Sequence, residues 1–220
     1  MRTVKELVNM QEPGWELVAD WMKRAKNRVE VLPKDQARAE QALYETQVTT
    51  RSPMGAVVYE TGGILIDDGW IRILGSGSAR LDRSLISWNL GKSMNRVGES
   101  PSFLLIADDA LGGFFAINNG EFGPADSQKV FYFAPDNLTW EPMGIGYSEF
   151  LNFCFNGDLT AFYSNLRWQG WQADVRVLDG NQGFSFMPFL WTTEGKDINK
   201  VNRRAVPIQE LWGLYMGSKK

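Results

Sequence analysis

Histidine, the side chain best suited to moving protons near neutral pH, occurs nowhere in the 220 residues. That removes Ser-His-Asp and Cys-His nucleophilic catalysis and His-ligated zinc. Cys154, the single cysteine, sits among Phe150, Leu151, Phe153 and Phe155, and so reads as a small buried apolar group rather than a nucleophile. Two carboxylate pairs remain, Asp67-Asp68 and Asp108-Asp109. Such pairs can hydrolyse glycosides or hold a divalent cation. Adjacent strand residues point to opposite faces, however, and both pairs stand beside turn-forming glycines. The spacing therefore predicts two turns in which Asp bonds its own backbone. An EF-hand loop after Asp108 would need oxygen ligands at alternate positions, which Gly112, Gly113 and Phe114 do not carry.

Arg51, Arg72, Arg80 and Arg83, with Thr49, Thr50 and Ser52, could surround an anion if their strands curl together; the ordinary place for such charges is a solvated strand face. Trp70, Trp88, Trp140, Trp168 and Trp171 would form a protein or sugar interface if exposed, although large aromatics most often build cores. Arg51, Trp70, Arg72, Arg80, Trp88 and Trp140 are the expected binding surface. Gly75-Ser76-Gly77-Ser78-Ala79-Arg80 follows a strand as a phosphate loop would. Arg80 stands where the dinucleotide fingerprint wants a small residue, so a plain loop is expected. Neither a Walker A pattern nor a Gly-x-Ser-x-Gly elbow is present.

The formal net charge of -3, with both signs interspersed, carries no nucleic-acid footprint, and the terminal Lys219-Lys220 pair is too short to change that. A mildly acidic surface suits a basic partner. The chain has no apolar signal core at its start and no run near the roughly 18 residues that span a bilayer. With one cysteine it has no intrachain disulfide, so a soluble, cytoplasmic protein is expected, without membrane or nucleic-acid partners.

The elements follow from periodicity. Thr3-Val4-Lys5-Glu6 matches a capping box for a short helix to Met10, and Trp15, Val18, Met22 and Ala25 share one face of a second helix after Pro13. Val29 to Leu32 is extended, and Asp35 caps a helix through Leu43. Strands are expected at Ala56 to Glu60, Ile64 to Asp67 and Trp70 to Leu74, as an antiparallel meander. Ser84 can start a short helix, and Gly91 to Ser100 is a polar, mobile loop. Phe103 to Ala107 and Phe114 to Asn118 form a hairpin, Val130 to Ala134 a further strand, and Tyr147 to Phe155 a helix. Asp158 caps Leu159 to Asn165, Gly183 to Pro188 is an edge strand, Thr192 to Arg204 a polar linker, and Pro207 begins a last helix.

The succession of strand Phe103 to Ala107, Asp108-Asp109, Gly112-Gly113, strands Phe114 to Asn118 and Val130 to Ala134, and a helix with Ser148-Glu149-Phe150-Leu151 resembles the second half of a SUKH-superfamily domain. That is the α+β fold of a yeast cell-wall regulator and many bacterial immunity proteins. Over nearly its whole length the chain also resembles a bacterial family known as domain of unknown function 2625. The residues that carry this likeness are Glu12-Pro13 with Trp15, Gln47-Val48-Thr49-Thr50-Arg51-Ser52-Pro53, Tyr59-Glu60-Thr61-Gly62-Gly63 and Leu74-Gly75-Ser76-Gly77.

The expected architecture is α+β: one domain over 1-220, with N-terminal helices, a mostly antiparallel sheet with helices on one face, and a SUKH-like core over 1-157. Residues 158-220 form a C-terminal extension packed on that core. The resemblance implies a non-catalytic protein-binding module, immunity-like or scaffolding, with an unidentified protein as partner and no cofactor or metal. Sugar or small-ligand binding through exposed Trp, and hydrolysis by the Asp pairs, are the alternatives.

Overall fold

A computed structural model describes residues 1-217; Lys219-Lys220 lies outside them. The chain begins with α1 (Val4–Leu7), where both the amide and the hydroxyl of Thr3 donate to Glu6 at 2.7 Å. Then come α2 (Gly14–Lys23), β1 (Val29–Leu32) and α3 (Gln36–Thr46), the last capped by Asp35, which accepts from Arg38 N at 2.9 Å. The next element is a helix, α4 (Pro53–Glu60), and not the strand expected at Ala56 to Glu60. Ser52 Oγ accepts from Gly55 N, and Pro53 takes a first-turn position where its missing N–H costs nothing. Because Ala56, Val57 and Val58 are all buried, they show no face-to-face alternation, and a short apolar run of this kind fits either element.

β2 (Gly63–Ile66) and β3 (Ile71–Leu74) flank the Asp67-Asp68-Gly69 turn; α5 (Leu85–Asn89) follows, its first turn capped by Ser84. β4 (Phe103–Asp109), β5 (Phe114–Asn118), β6 (Val130–Ala134) and β7 (Thr139–Pro142) complete a seven-stranded antiparallel sheet whose spatial order is the chain order. β4 takes in both Asp108 and Asp109, so these belong to a strand end rather than to the expected turn.

α6 (Tyr147–Asn156), α7 (Leu159–Phe162) and α8 (Trp171–Arg176) precede a separate hairpin, β8 (Gln182–Met187) with β9 (Asn202–Pro207), and α9 (Ile208–Gly217) ends the described chain. The stretch expected as a polar linker thus carries a strand. Asn202, Arg204 and Ala205 face outward, which hides its pattern.

Strand alternation divides the core. Phe115 turns to α6, its ring 5.0 Å from Phe150, while neighbouring Phe114 turns the other way, its ring 5.0 Å from Trp212 of α9. One face of the sheet therefore meets α6, and the opposite face meets the C-terminal segment. The fold is α+β. No described helix is long and apolar enough to cross a membrane.

Two glycines test this packing. A Cβ on Gly113 would lie 2.5 Å from both Asp109 Oδ2 and Tyr132 Oη, whereas one on Gly213, inside α9, meets nothing within 4 Å. Gly113→Ala is expected to cost about 1–3 kcal/mol in urea denaturation. Gly213→Ala should instead stabilise by about 0.5–1 kcal/mol, because only helix propensity changes.

Candidate functional site

The register Arg72↔Asp108 between β3 and β4 places a cation and an anion side by side, both buried. Arg72 Nε donates to Asp108 Oδ1 at 2.6 Å and its Nη2 to the Asp109 carbonyl at 2.6 Å, while Nη1 donates to the carbonyl of Gln182 at the start of β8. Arg83 Nη1 reaches Asp108 Oδ2 at 2.5 Å, and Nη2 donates to the Gly180 carbonyl at 2.9 Å. Two arginines thus share one carboxylate, and both tie the C-terminal segment to the sheet. Burial pulls the Arg83 guanidinium below its ordinary value, and Asp108 opposes that shift.

Asp109 points to the other face. Its Oδ1 accepts from the amides of Leu111 at 2.9 Å and Gly113 at 2.8 Å, closing the β4–β5 turn. Its Oδ2 accepts from the hydroxyls of Tyr132 at 2.8 Å and Tyr163 at 3.0 Å. Burial raises the Asp109 carboxyl above its ordinary value even against these four donors, and it also pushes both phenols far up. Every oxygen is engaged, leaving no lone pair free for a substrate or a proton shuttle.

The other acidic pair is occupied as well. Asp67 accepts from Arg167 Nη2 at 2.8 Å, and Asp68 pairs with Arg28 at 2.5 Å and Arg176 at 3.1 Å. Among the described residues no cluster of three His, Cys, Asp or Glu could hold a metal ion. Cys154 is fully buried, and burial drives its thiol far above the ordinary value.

The six residues of the expected binding surface are scattered. Trp70 and Arg72 are interior and present nothing to a partner. Arg51 and Arg80 are exposed but paired, with Glu12 at 2.9 Å and with Glu30. Trp88 is buried, and Trp140 is half-buried, its ring centre 4.7 Å from that of Phe122 with the planes tilted by 30°. Of the four arginines considered together, Arg72 and Arg83 meet at Asp108 and the other two do not. None of the nine Trp is exposed.

An apolar concavity lies elsewhere, between the end of β7 and α6–α7. It is a groove of about 590 Å³ whose apolar lining includes Pro142, Met143, Ile145, Phe153 and Phe162. Glu141 and Glu149 also line it, and no Lys or Arg does. β7 is the last strand of the sheet, with β6 on one side only. Sequence reasoning missed this site because β7 is short, holds a proline and alternates little; the one available signal was Met143 and Ile145 interrupting a polar, glycine-rich stretch.

Comparison with known proteins follows the whole chain. A family profile described as a protein of unknown function, DUF2625, matches residues 4–211. The chain belongs to the DUF2625 family. It is 48% identical over 219 residues to an uncharacterized protein of Haemophilus influenzae, covering 100% of this chain and 96% of that one. It is also 44% identical over 220 residues to the uncharacterized protein YbfG of Escherichia coli K12, covering 100% and 98%. These DUF2625 relatives are near full-length matches, so the C-terminal segment that receives Arg72 and Arg83 lies within the aligned length.

Two substitutions separate the two faces. Asp108→Ala leaves Arg72 buried without its anion and is expected to cost about 3–5 kcal/mol in urea denaturation. Combining Arg72→Met with Asp108→Leu should recover only part of that, since Arg83 then keeps its buried charge without Asp108. Asp109 behaves differently with pH. Its folded value is raised, so the neutral form is favoured in the fold and stability is lost as pH climbs from the ordinary carboxylate range through the raised value. The stability of Asp109→Asn relative to wild type should therefore improve from pH 4 to pH 7. A relative loss over that interval would contradict the burial effect.

Proposed function

We propose that this chain is a non-catalytic, cytoplasmic protein-binding module that takes an extended partner segment in the groove between β7 and α6–α7. The observation that carries the reading is the groove's make-up: apolar walls from Met143, Ile145, Phe153 and Phe162, carboxylates at Glu141 and Glu149, and a strand with an open edge. An apolar floor supplies burial, an open strand edge supplies backbone pairing, and the carboxylates favour a segment that joins apolar residues to Lys or Arg. The net charge of -3 favours the same basic partner.

The SUKH resemblance of residues 103-151 adds an analogy: that superfamily includes immunity proteins, so an immunity-like or scaffolding role suits the same surface. The other readings find less support. Carboxylates locked in ion pairs and hydrogen bonds make a poor hydrolytic pair, and no Trp is exposed as a sugar platform.

A photo-crosslinking residue at position 143 tests the proposal in the native host. It should join the chain to one protein, through a segment with apolar residues and Lys or Arg. The same residue at position 10, where Met10 is 84% exposed and remote from the groove lining, serves as the control and should not capture that protein. Equal capture from both positions, or none from position 143, would overturn the groove as the docking site.

A further inference from the structure

We propose that a second concavity, beside Trp88 and distinct from the β7 groove, binds a small oxyanion, a phosphate or carboxylate group, between Lys92 and Arg83. The cleft has a volume of about 580 Å³, and its lining includes Asp82, Arg83, Ser87, Trp88, Lys92 and Gln209. Lys92 Nζ stands 3.8 Å from the centroid of the Trp88 ring and the Arg83 guanidinium carbon 4.3 Å from the same centroid. Both distances run to one ring centre, so the two cationic heads lie no more than about 8 Å apart while lining the same cleft.

The two cations differ in how they are balanced. Arg83 is held by Asp108. The Lys92 ammonium has the Trp88 ring but neither a hydrogen bond nor an ion pair among the described residues, although the side chain is only partly exposed. Two other lysines are paired, Lys34 with Glu60 at 3.3 Å and Lys200 with Asp197 at 2.8 Å, while Lys5, Lys23, Lys26 and Lys196 are exposed to water. Asp82, the one carboxylate lining the cleft, is taken by Arg38 Nη1 at 2.6 Å on the side chain's Oδ1. Burial, and then the neighbouring Arg83, bring the Lys92 amine down to about 8. A half-buried ammonium beside a guanidinium and without a counter-ion is a cost to the fold that an arriving anion removes.

The position is built rather than incidental. Asn89, fully buried, donates through Nδ2 to the carbonyls of Leu85 and Leu105, each at 2.8 Å, and accepts at Oδ1 from Leu105 N at 2.8 Å and Ser93 Oγ at 2.7 Å. It pins α5 and the chain just after Lys92 to the middle of β4, where the ladder slips between Leu105 and Ala107. Gly91 N also donates to Met94 O at 2.8 Å. The stretch expected as a mobile loop is thus fastened on both sides of Lys92.

Inorganic phosphate and acetate, each titrated at constant ionic strength against chloride, provide the test, read from the 15N resonance of the Lys92 ammonium and from calorimetry. One of the two should give a saturable shift and raise the Lys92 titration point above about 8; which one does so separates a phosphate from a carboxylate ligand. Lys92→Met, which keeps the stem over Trp88, should weaken that binding at least about tenfold with no loss of melting temperature. Lys200→Met, altering a surface ion pair, should leave it unchanged. No saturable response to either anion in the wild-type chain, or equal affinity in Lys92→Met, would overturn the site. Failure of the Met143 crosslink would not bear on it, because the two concavities share no lining residue.

Discussion

A buried charge is tolerated only when it is paired and its remaining donors are satisfied, and Arg72 sets that demand at the centre of this sheet. Asp108 beside it meets one part, but two of its nitrogens reach backbone carbonyls, Asp109 in the same sheet and Gln182 far along the chain. The C-terminal segment is therefore the acceptor that allows the guanidinium to be inside at all, more than a cover laid over apolar surface. Arg83 repeats the arrangement from another loop, taking the second oxygen of Asp108 and the Gly180 carbonyl. Arg72, Arg83 and Asp108, with Asp109 on the reverse face, thus fix the sheet, the loop before α5 and the C-terminal hairpin relative to one another.

That constraint also explains the chemical quiet of the residues most suggestive in the sequence. A carboxylate that accepts two amides and two phenols, as Asp109 does, is committed to geometry. Asp67 and Asp68 are committed to arginines from three different parts of the chain. What the molecule leaves open is of another kind: an apolar groove with carboxylates along it, and a lysine without an anion. These are the two places where we propose that ligands bind by complementarity.

Elements with a single dominant pattern were legible from sequence alone. β5 and β6 are unbroken apolar runs between polar loops, and Asp35, Ser84 and Asp158 cap the helices expected of them. Ala56 to Glu60 was misleading because a helix buried on every side loses its 3.6-residue stripe, leaving Ser52-Pro53 as the only sign of its start. The long-range ties were beyond reach for a simpler reason. Arg72 bonds partners 36 and 110 positions away, and nothing local in Gly69-Trp70-Ile71-Arg72-Ile73 marks its charge as interior. The groove and the Lys92 cleft join segments in the same way, so their parts were visible as residues and not as sites.

The order of the seven strands has a consequence for synthesis. Because each strand pairs with its predecessor in the chain, the sheet can grow on the ribosome one neighbour at a time, with little waiting for distant sequence. The guanidinium of Arg72 is the exception: its Gln182 acceptor emerges last. Until then the nascent sheet holds a charge that water must serve, so closure of the C-terminal hairpin is the step that separates a wet intermediate from the finished protein.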